Sequence, residues 1–160
     1  MEKLKYYTKE ILIFIVVLTV LSNTISFYKS NELNKNSLND IELKTIDKDI
    51  KLPNDKPILI HFWATWCPTC KFEASNIEYI SNHYNVITIA VNSKDIKKYM
   101  KESNLTFKVI DDKDSKLSKK FNISAYPTTF IYDKNKNLVF SEVGYTSSFG
   151  LWIRMFFSSL

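Results

Sequence analysis

Ile58-Leu59-Ile60-His61-Phe62-Trp63-Ala64-Thr65-Trp66-Cys67-Pro68-Thr69-Cys70-Lys71-Phe72-Glu73 is the stretch from which the rest of the chain can be read. Its first six residues follow Pro57, are apolar apart from His61, and suit a buried strand. Residues 67–83 then place Phe72, Ile77 and Ile80 at helical spacing, so the segment reads strand, short turn, helix. Both cysteines fall in the first turn of that helix. At i and i+3 their Cα atoms are about 5 to 6 Å apart, close enough to form a disulfide with little strain. Cys67 meets the free amides and positive dipole end of the helix, which favour a thiolate and lower the thiol pKa. Cys70 lies one turn further in, and Pro68, just inside the start, forfeits no helical hydrogen bond.

A Cys-x-x-Cys pair also occurs in zinc sites, where two further ligands complete a tetrahedron. The only histidines are His61, inside the strand, and His83, at the far end of the helix, so no metal site and no bound cofactor are expected. Two structural core cysteines are the bland alternative; tryptophan and proline beside them on a turn speak for exposure and reactivity. His61 reads as either an acid-base group or a packed, hydrogen-bonded strand histidine.

Outward from this stretch, strand and helix signals alternate. Residues 86–91 suit a buried strand, 94–103 a charged helix, 107–110 a short strand and 114–121 another helix. Residues 128–132 and 138–143 are strands separated by Asp133-Lys134-Asn135-Lys136-Asn137, turn chemistry that makes them an antiparallel hairpin. Residues 147–160 form an amphipathic helix, with Trp152, Met155, Phe156 and Phe157 expected to face the sheet. The expected class is α/β: a mixed central sheet flanked by helices on both faces, spanning residues 41–160.

Ahead of it, Lys3, Lys5 and Lys9 precede residues 11–21, in which only Thr19 is polar. Carried through to Tyr28, the apolar stretch of 18 residues reaches about 27 Å, close to a bilayer core. Residues 1–28 therefore read as a signal-anchor, with a cleaved signal peptide and a buried core helix as alternatives; no alanine marks a cleavage site before Ser30. An anchor over residues 11–28 puts the N-terminus in the cytoplasm and the remainder on the periplasmic or outer side of the cytoplasmic membrane. Residues 29–40, rich in Asn, Ser and charge, read as a tether.

Composition limits the function classes. In 160 residues there are two cysteines and two glycines, which excludes a multi-disulfide framework and a glycine-rich linker protein. The formal net charge of +5 raises nucleic acid or anionic lipid as partners. Most of the excess lies in the lysines beside the apolar segment and in residues 94–120, a solvated helix surface, so nucleic acid is not expected.

Residues 41–160 resemble the thioredoxin superfamily, in particular its membrane-anchored TlpA, ResA and DsbE-like branch. Phe62-Trp63-Ala64-Thr65-Trp66-Cys67-x-x-Cys70 is similar to the active-site signature, and Tyr126-Pro127-Thr128-Thr129-Phe130 to the second signature, where a cis-proline faces the cysteines. Gly144 is similar to a family glycine near the site. The resemblance implies a thioredoxin-like three-layer fold and thiol:disulfide exchange, with Cys67 and Cys70 as the redox pair and Glu73 aiding proton transfer. It also implies a substrate groove at Trp66, Pro68, Tyr126 and Pro127; Trp63 and Phe62 join the rim or the core. His61 stands where thioredoxin has a buried aspartate, and Ala74 where this branch often has proline. Implied partners are protein disulfides or dithiols and an integral-membrane thiol electron carrier, as in cytochrome c maturation. The pair acts as a reductant or, alternatively, as a disulfide-forming oxidant; a thioredoxin-like Cu(I) metallochaperone and a silent adaptor are the other classes.

Overall fold

The computed structural model describes residues 2–33, 38 and 56–160. Five strands, β1 (Ile58–Trp63), β2 (Asn85–Val91), β3 (Lys108–Asp112), β4 (Thr128–Tyr132) and β5 (Leu138–Val143), form one sheet in the order β3-β2-β1-β4-β5. β1, β2 and β3 run parallel, because helical crossovers return the chain to the same end of the sheet. β4 is antiparallel to both β1 and β5. The reversal between β4 and β5 is held by Asp133, whose carboxylate accepts the amides of Asn135 and Asn137 at 2.8 Å each.

The helices are α1 (Glu2–Ser30), α2 (Pro68–Ser81), α3 (Ile96–Glu102), α4 (Lys116–Lys120) and α5 (Ser148–Ser158). Alternation along the strands divides the core into two layers. Leu59, Trp63, Ala90 and Ile131 pack with Ile77 and Ile80 of α2 and with Leu151 and Met155 of α5. Ile58, Ile60, Phe62, Ile87, Ile89 and Phe130 pack on the other face with Phe121, just past α4. Helices thus cover both faces of a mixed sheet. α2 is further fixed by Glu78, whose carboxylate accepts the backbone amides of Thr106 and Phe107 at 2.8 and 3.1 Å.

Tyr7–Ser30 of α1 is long and apolar enough to cross a membrane, and residues such as Leu12, Phe14 and Leu18 are exposed along it. Its last turns meet the sheet edge: the Val143 amide donates to Ser26 Oγ at 3.0 Å. Within the 29–40 stretch, Lys29 and Ser30 close α1 and the Glu32 carbonyl accepts from Asn122 Nδ2 at 2.6 Å. Leu33 and Leu38 are buried with Phe62 and Phe121. The remaining residues of that stretch, and the expected domain start at 41, lie outside the described residues.

Two packing expectations are corrected. Phe72 does not share the buried face of Ile77 and Ile80; it is 74% exposed, its ring 5.3 Å from that of Tyr145. The buried positions of α2 are Cys70, Glu73, Ala74, Ile77 and Ile80, so the helical stripe runs through a glutamate at its i, i+4, i+7 register. In α5 the same register buries Leu151, Met155 and Ser158. Trp152, Phe156 and Phe157 therefore point away from the sheet and remain exposed, the first two stacked at 5.7 Å.

Candidate active site

β1 ends at Trp63, and the next four residues carry the chain from the sheet into α2. Side chains and amides of neighbouring loops hold this turn. The Thr65 amide donates to Ser93 Oγ at 3.0 Å, Thr65 Oγ1 donates to the Lys94 carbonyl at 3.2 Å, and Trp66 Nε1 donates to the Asn92 carbonyl at 3.1 Å. Cys67 is thereby set as the N-cap of α2, with Pro68 in the first turn. Its Sγ accepts the Cys70 amide at 3.2 Å, the hydrogen bond that a capping oxygen usually takes. A thiolate released at this atom would find the same donor and the helix dipole waiting. Cys67 and Cys70 are joined in a disulfide, with Cα atoms 5.3 Å apart.

The second signature comes alongside from β4. The Tyr126–Pro127 peptide is cis, and the Tyr126 carbonyl oxygen lies 3.8 Å from Cys67 Sγ. Gly144 donates its amide to the Pro127 carbonyl at 2.8 Å and has a φ of +114°, a conformation that a side chain would strain. Two separated segments, 66–70 and 126–127, thus meet at one sulfur, and Gly144 holds the second of them in place. Trp66 is 57% exposed and meets Tyr126 edge-on at 5.7 Å. Trp63 and Phe62 belong to the core: Trp63 packs on Tyr99 and Phe107, Phe62 on Phe121 and Phe130.

Glu73 lies one turn beyond Cys70 on the same helix face and is fully buried. Its Oε1 accepts the Thr146 amide at 3.0 Å, and its Oε2 has no hydrogen-bond partner among the described residues. Burial pushes its pKa up to about 8; the Thr146 amide opposes the shift and the charge of Glu142 adds to it. A carboxyl group with that affinity can accept or return a proton near neutrality. His61 is buried under α2 with Nδ1 3.0 Å from Thr129 Oγ1, and burial lowers its pKa to about 3, so it is neutral and packed.

Sequence reasoning passed over the polar row that His61 begins. Thr88, His61, Thr129 and Glu142 are register partners across β2, β1, β4 and β5, and so point to the α2 side of the sheet. At the end of the row Arg154, the chain's only arginine, reaches from α5 to place Nη2 3.3 Å from Glu142 Oε2. Its guanidinium also sits 3.9 Å from the centre of the Phe140 ring. A polar residue inside each of four short strands was the available signal, but strand pairing was needed to align them.

A disulfide pair capping a helix, with a cis-proline opposite on a mixed sheet, defines a thiol-disulfide oxidoreductase of thioredoxin-like fold. Residues 29–141 match the model for the AhpC/TSA family, and the chain belongs to that family. It is 30% identical over 152 residues to a thioredoxin-like protein of Haemophilus influenzae, covering 92% of this chain and 89% of that one. Against the thiol-disulfide oxidoreductase ResA of Bacillus cereus it is 30% identical over 113 residues, 66% of this chain and 64% of the relative. The crystal structure of StoA from Bacillus subtilis superposes with a TM-score of 0.63 at 24% identity, covering 71% of this chain and 94% of that chain.

Proposed function

We propose that the protein is a membrane-anchored, extracytoplasmic reductant of protein disulfides. The observation that carries the chemistry is the placement of Cys67 Sγ, capped by the Cys70 amide and faced by the Tyr126 carbonyl, above a buried Glu73. The Cys67 thiolate attacks a substrate disulfide, forming a mixed disulfide and expelling one substrate thiolate, which takes a proton from water. Cys70 then gives its proton to the Glu73 carboxylate and attacks Cys67 Sγ. The Cys67–Cys70 bond forms, the bond from Cys67 to the substrate breaks, and the second substrate thiolate leaves. Two electrons have moved from the protein to the substrate.

Trp66, Pro68, Tyr126 and Pro127 form the substrate groove in this reading, with the backbone beside Pro127 pairing to an extended substrate. The segment Tyr7–Ser30 supplies the anchor, and the lysines ahead of it orient the catalytic domain outward. A chain with no further cysteines needs an external dithiol to re-reduce it; an integral-membrane thiol carrier fits, with maturing c-type cytochromes among the substrates.

Insulin reduction by the full-length chain in detergent tests the activity. Turnover by wild type and none by Cys67→Ser is the expected result; equal turnover by the variant would sink the assignment. Direction is read from the reduction potential: near the thioredoxin value of about −270 mV marks a reductant, near about −120 mV an oxidant. Labelling of Cys67 in intact cells with a membrane-impermeant maleimide, after reduction, tests the compartment.

A further inference from the structure

Glu73 is fully enclosed, so its proton is governed by the groups packed around it. From its own helix it neighbours Cys70, with Cys67 at the cap; from β1 comes His61, neutral and engaged with Thr129; from the loop after β5, the Thr146 amide. Among the described residues, Glu142 of β5 opposes a charge on Glu73, and Arg154 of α5 meets Glu142. Those two are the end of the polar row that opens toward solvent, with side chains 14% and 30% exposed.

We propose that Glu142, clamped by Arg154, is a positioning residue for thiol exchange: its carboxylate sets when Glu73 takes up and gives back the proton of Cys70. The inference rests on the role proposed for Glu73 and extends it to a second carboxylate. An ionised Glu142 on the same face disfavours a second negative charge at Glu73 and makes that carboxylate a stronger base. A thiol of ordinary acidity, near pKa 8.5, transfers its proton poorly to a carboxylate of ordinary acidity; the transfer becomes nearly balanced when the carboxylate's affinity approaches that of the thiol. Arg154 makes two contacts. It meets the Glu142 carboxylate at 3.3 Å, and its seat on Phe140 fixes where that carboxylate lies.

The test follows the second of two thiol releases when the reduced full-length chain in detergent reacts with 5,5′-dithiobis(2-nitrobenzoate). Attack by Cys67 frees the first thionitrobenzoate; resolution by Cys70 frees the second, and its rate is measured against pH. Glu142→Gln is expected to move the inflection of the second step down by about half a unit or more. Arg154→Gln, which removes the cation beside Glu142, is expected to move it up, and Arg154→Lys to restore the wild-type profile. Glu73→Gln slows the second step and leaves only the inflection of the Cys70 thiol itself, at higher pH. If Glu73→Gln shifts the profile in this way while Glu142→Gln and Arg154→Gln both leave it in place, Glu73 keeps its role and the proposal for Glu142 is overturned. If Glu73→Gln leaves the wild-type profile unchanged, the Glu73 reading fails and the proposal fails with it.

Discussion

The two faces of one sheet are built for different purposes. On one, Phe62, Phe121 and Phe130 meet at centroid distances of 4.9, 5.9 and 5.2 Å, among isoleucines from β1 and β2. On the other, the same strands interrupt an aliphatic layer with Thr88, His61, Thr129 and Glu142, and α2 lowers Glu73 into it. Burying polar groups costs free energy unless each is hydrogen-bonded, whereas aromatic packing stabilises without such conditions. The apolar face therefore supplies stability, and the polar face uses some of it to hold ionisable groups near the cysteines. If that division holds, substitutions on the two faces separate activity from stability.

The largest effect is expected at the cysteines. Cys67→Ser should lower insulin reduction at least about a thousandfold, since the one thiol left, Cys70, is buried and has no partner with which to close a disulfide. Cys70→Ser leaves the attacking sulfur in place and should accumulate a mixed disulfide, visible as a shifted band on non-reducing gels. Absence of that band would deny Cys70 its resolving role.

Next comes a pure stability effect. Phe130→Ala removes a fully buried ring from the apolar face and should cost about 3–5 kcal/mol in urea unfolding. Activity per folded molecule should be unchanged. A fall in activity larger than the unfolded fraction would break the separation between the faces.

The polar face should show itself in how stability varies with pH. Glu73 binds its proton more tightly folded than unfolded, from an ordinary 4.5 up to about 8, so its contribution falls as pH rises through that interval. His61 runs the other way. Its folded value of about 3 lies below the ordinary 6.5, so stability is lost as pH falls from 6.5 toward 3. Between 4.5 and 6.5 the two slopes oppose each other, which leaves a plateau with a decline on either side, each of a few kcal/mol. Glu73→Gln should flatten the alkaline limb and turn the plateau into a rise with pH, and His61→Gln should flatten the acid limb and turn the plateau into a fall, measured as urea midpoints in the disulfide form. A single-sided curve in the wild type would contradict one of the two buried states.

How much of this was legible beforehand follows from the range of each signal. The cysteine pair, Pro68 and the strand before them are contiguous, and i to i+3 geometry needs only a helix, so that part of the site could be read directly. The same holds for the hairpin, where Asp133 and Asn137 mark the turn. Glu73 was assigned a role by resemblance, but its place in the buried register was missed because Phe72 looked like the core residue. The error in α5 is of the same kind: aromatic rings outbid Leu151 for the inner face when only hydrophobicity was weighed. The row from Thr88 to Glu142 depends on strand order and register, which no single segment encodes.

The smallest expected effect lies at the rim where the two faces meet. Trp66 offers an open ring beside Cys67, but its Nε1 also pins the turn by donating to the Asn92 carbonyl. The two roles predict different variants. Trp66→Phe keeps an aromatic surface and loses the hydrogen bond; Trp66→Ala loses both. If the ring binds substrate, Trp66→Ala should raise KM for insulin about three- to tenfold, as expected for loss of one aromatic contact, while Trp66→Phe stays near wild type. If the hydrogen bond matters more, both variants should instead lower kcat together, because the turn that aims Cys67 at the Tyr126 carbonyl side of the groove has been loosened. Stability should move by no more than about 1 kcal/mol in either case, since more than half of the residue is already in water. A rise in KM confined to Trp66→Ala would place Trp66 with the substrate groove; a common loss of kcat would place it with the scaffold of the cysteine turn.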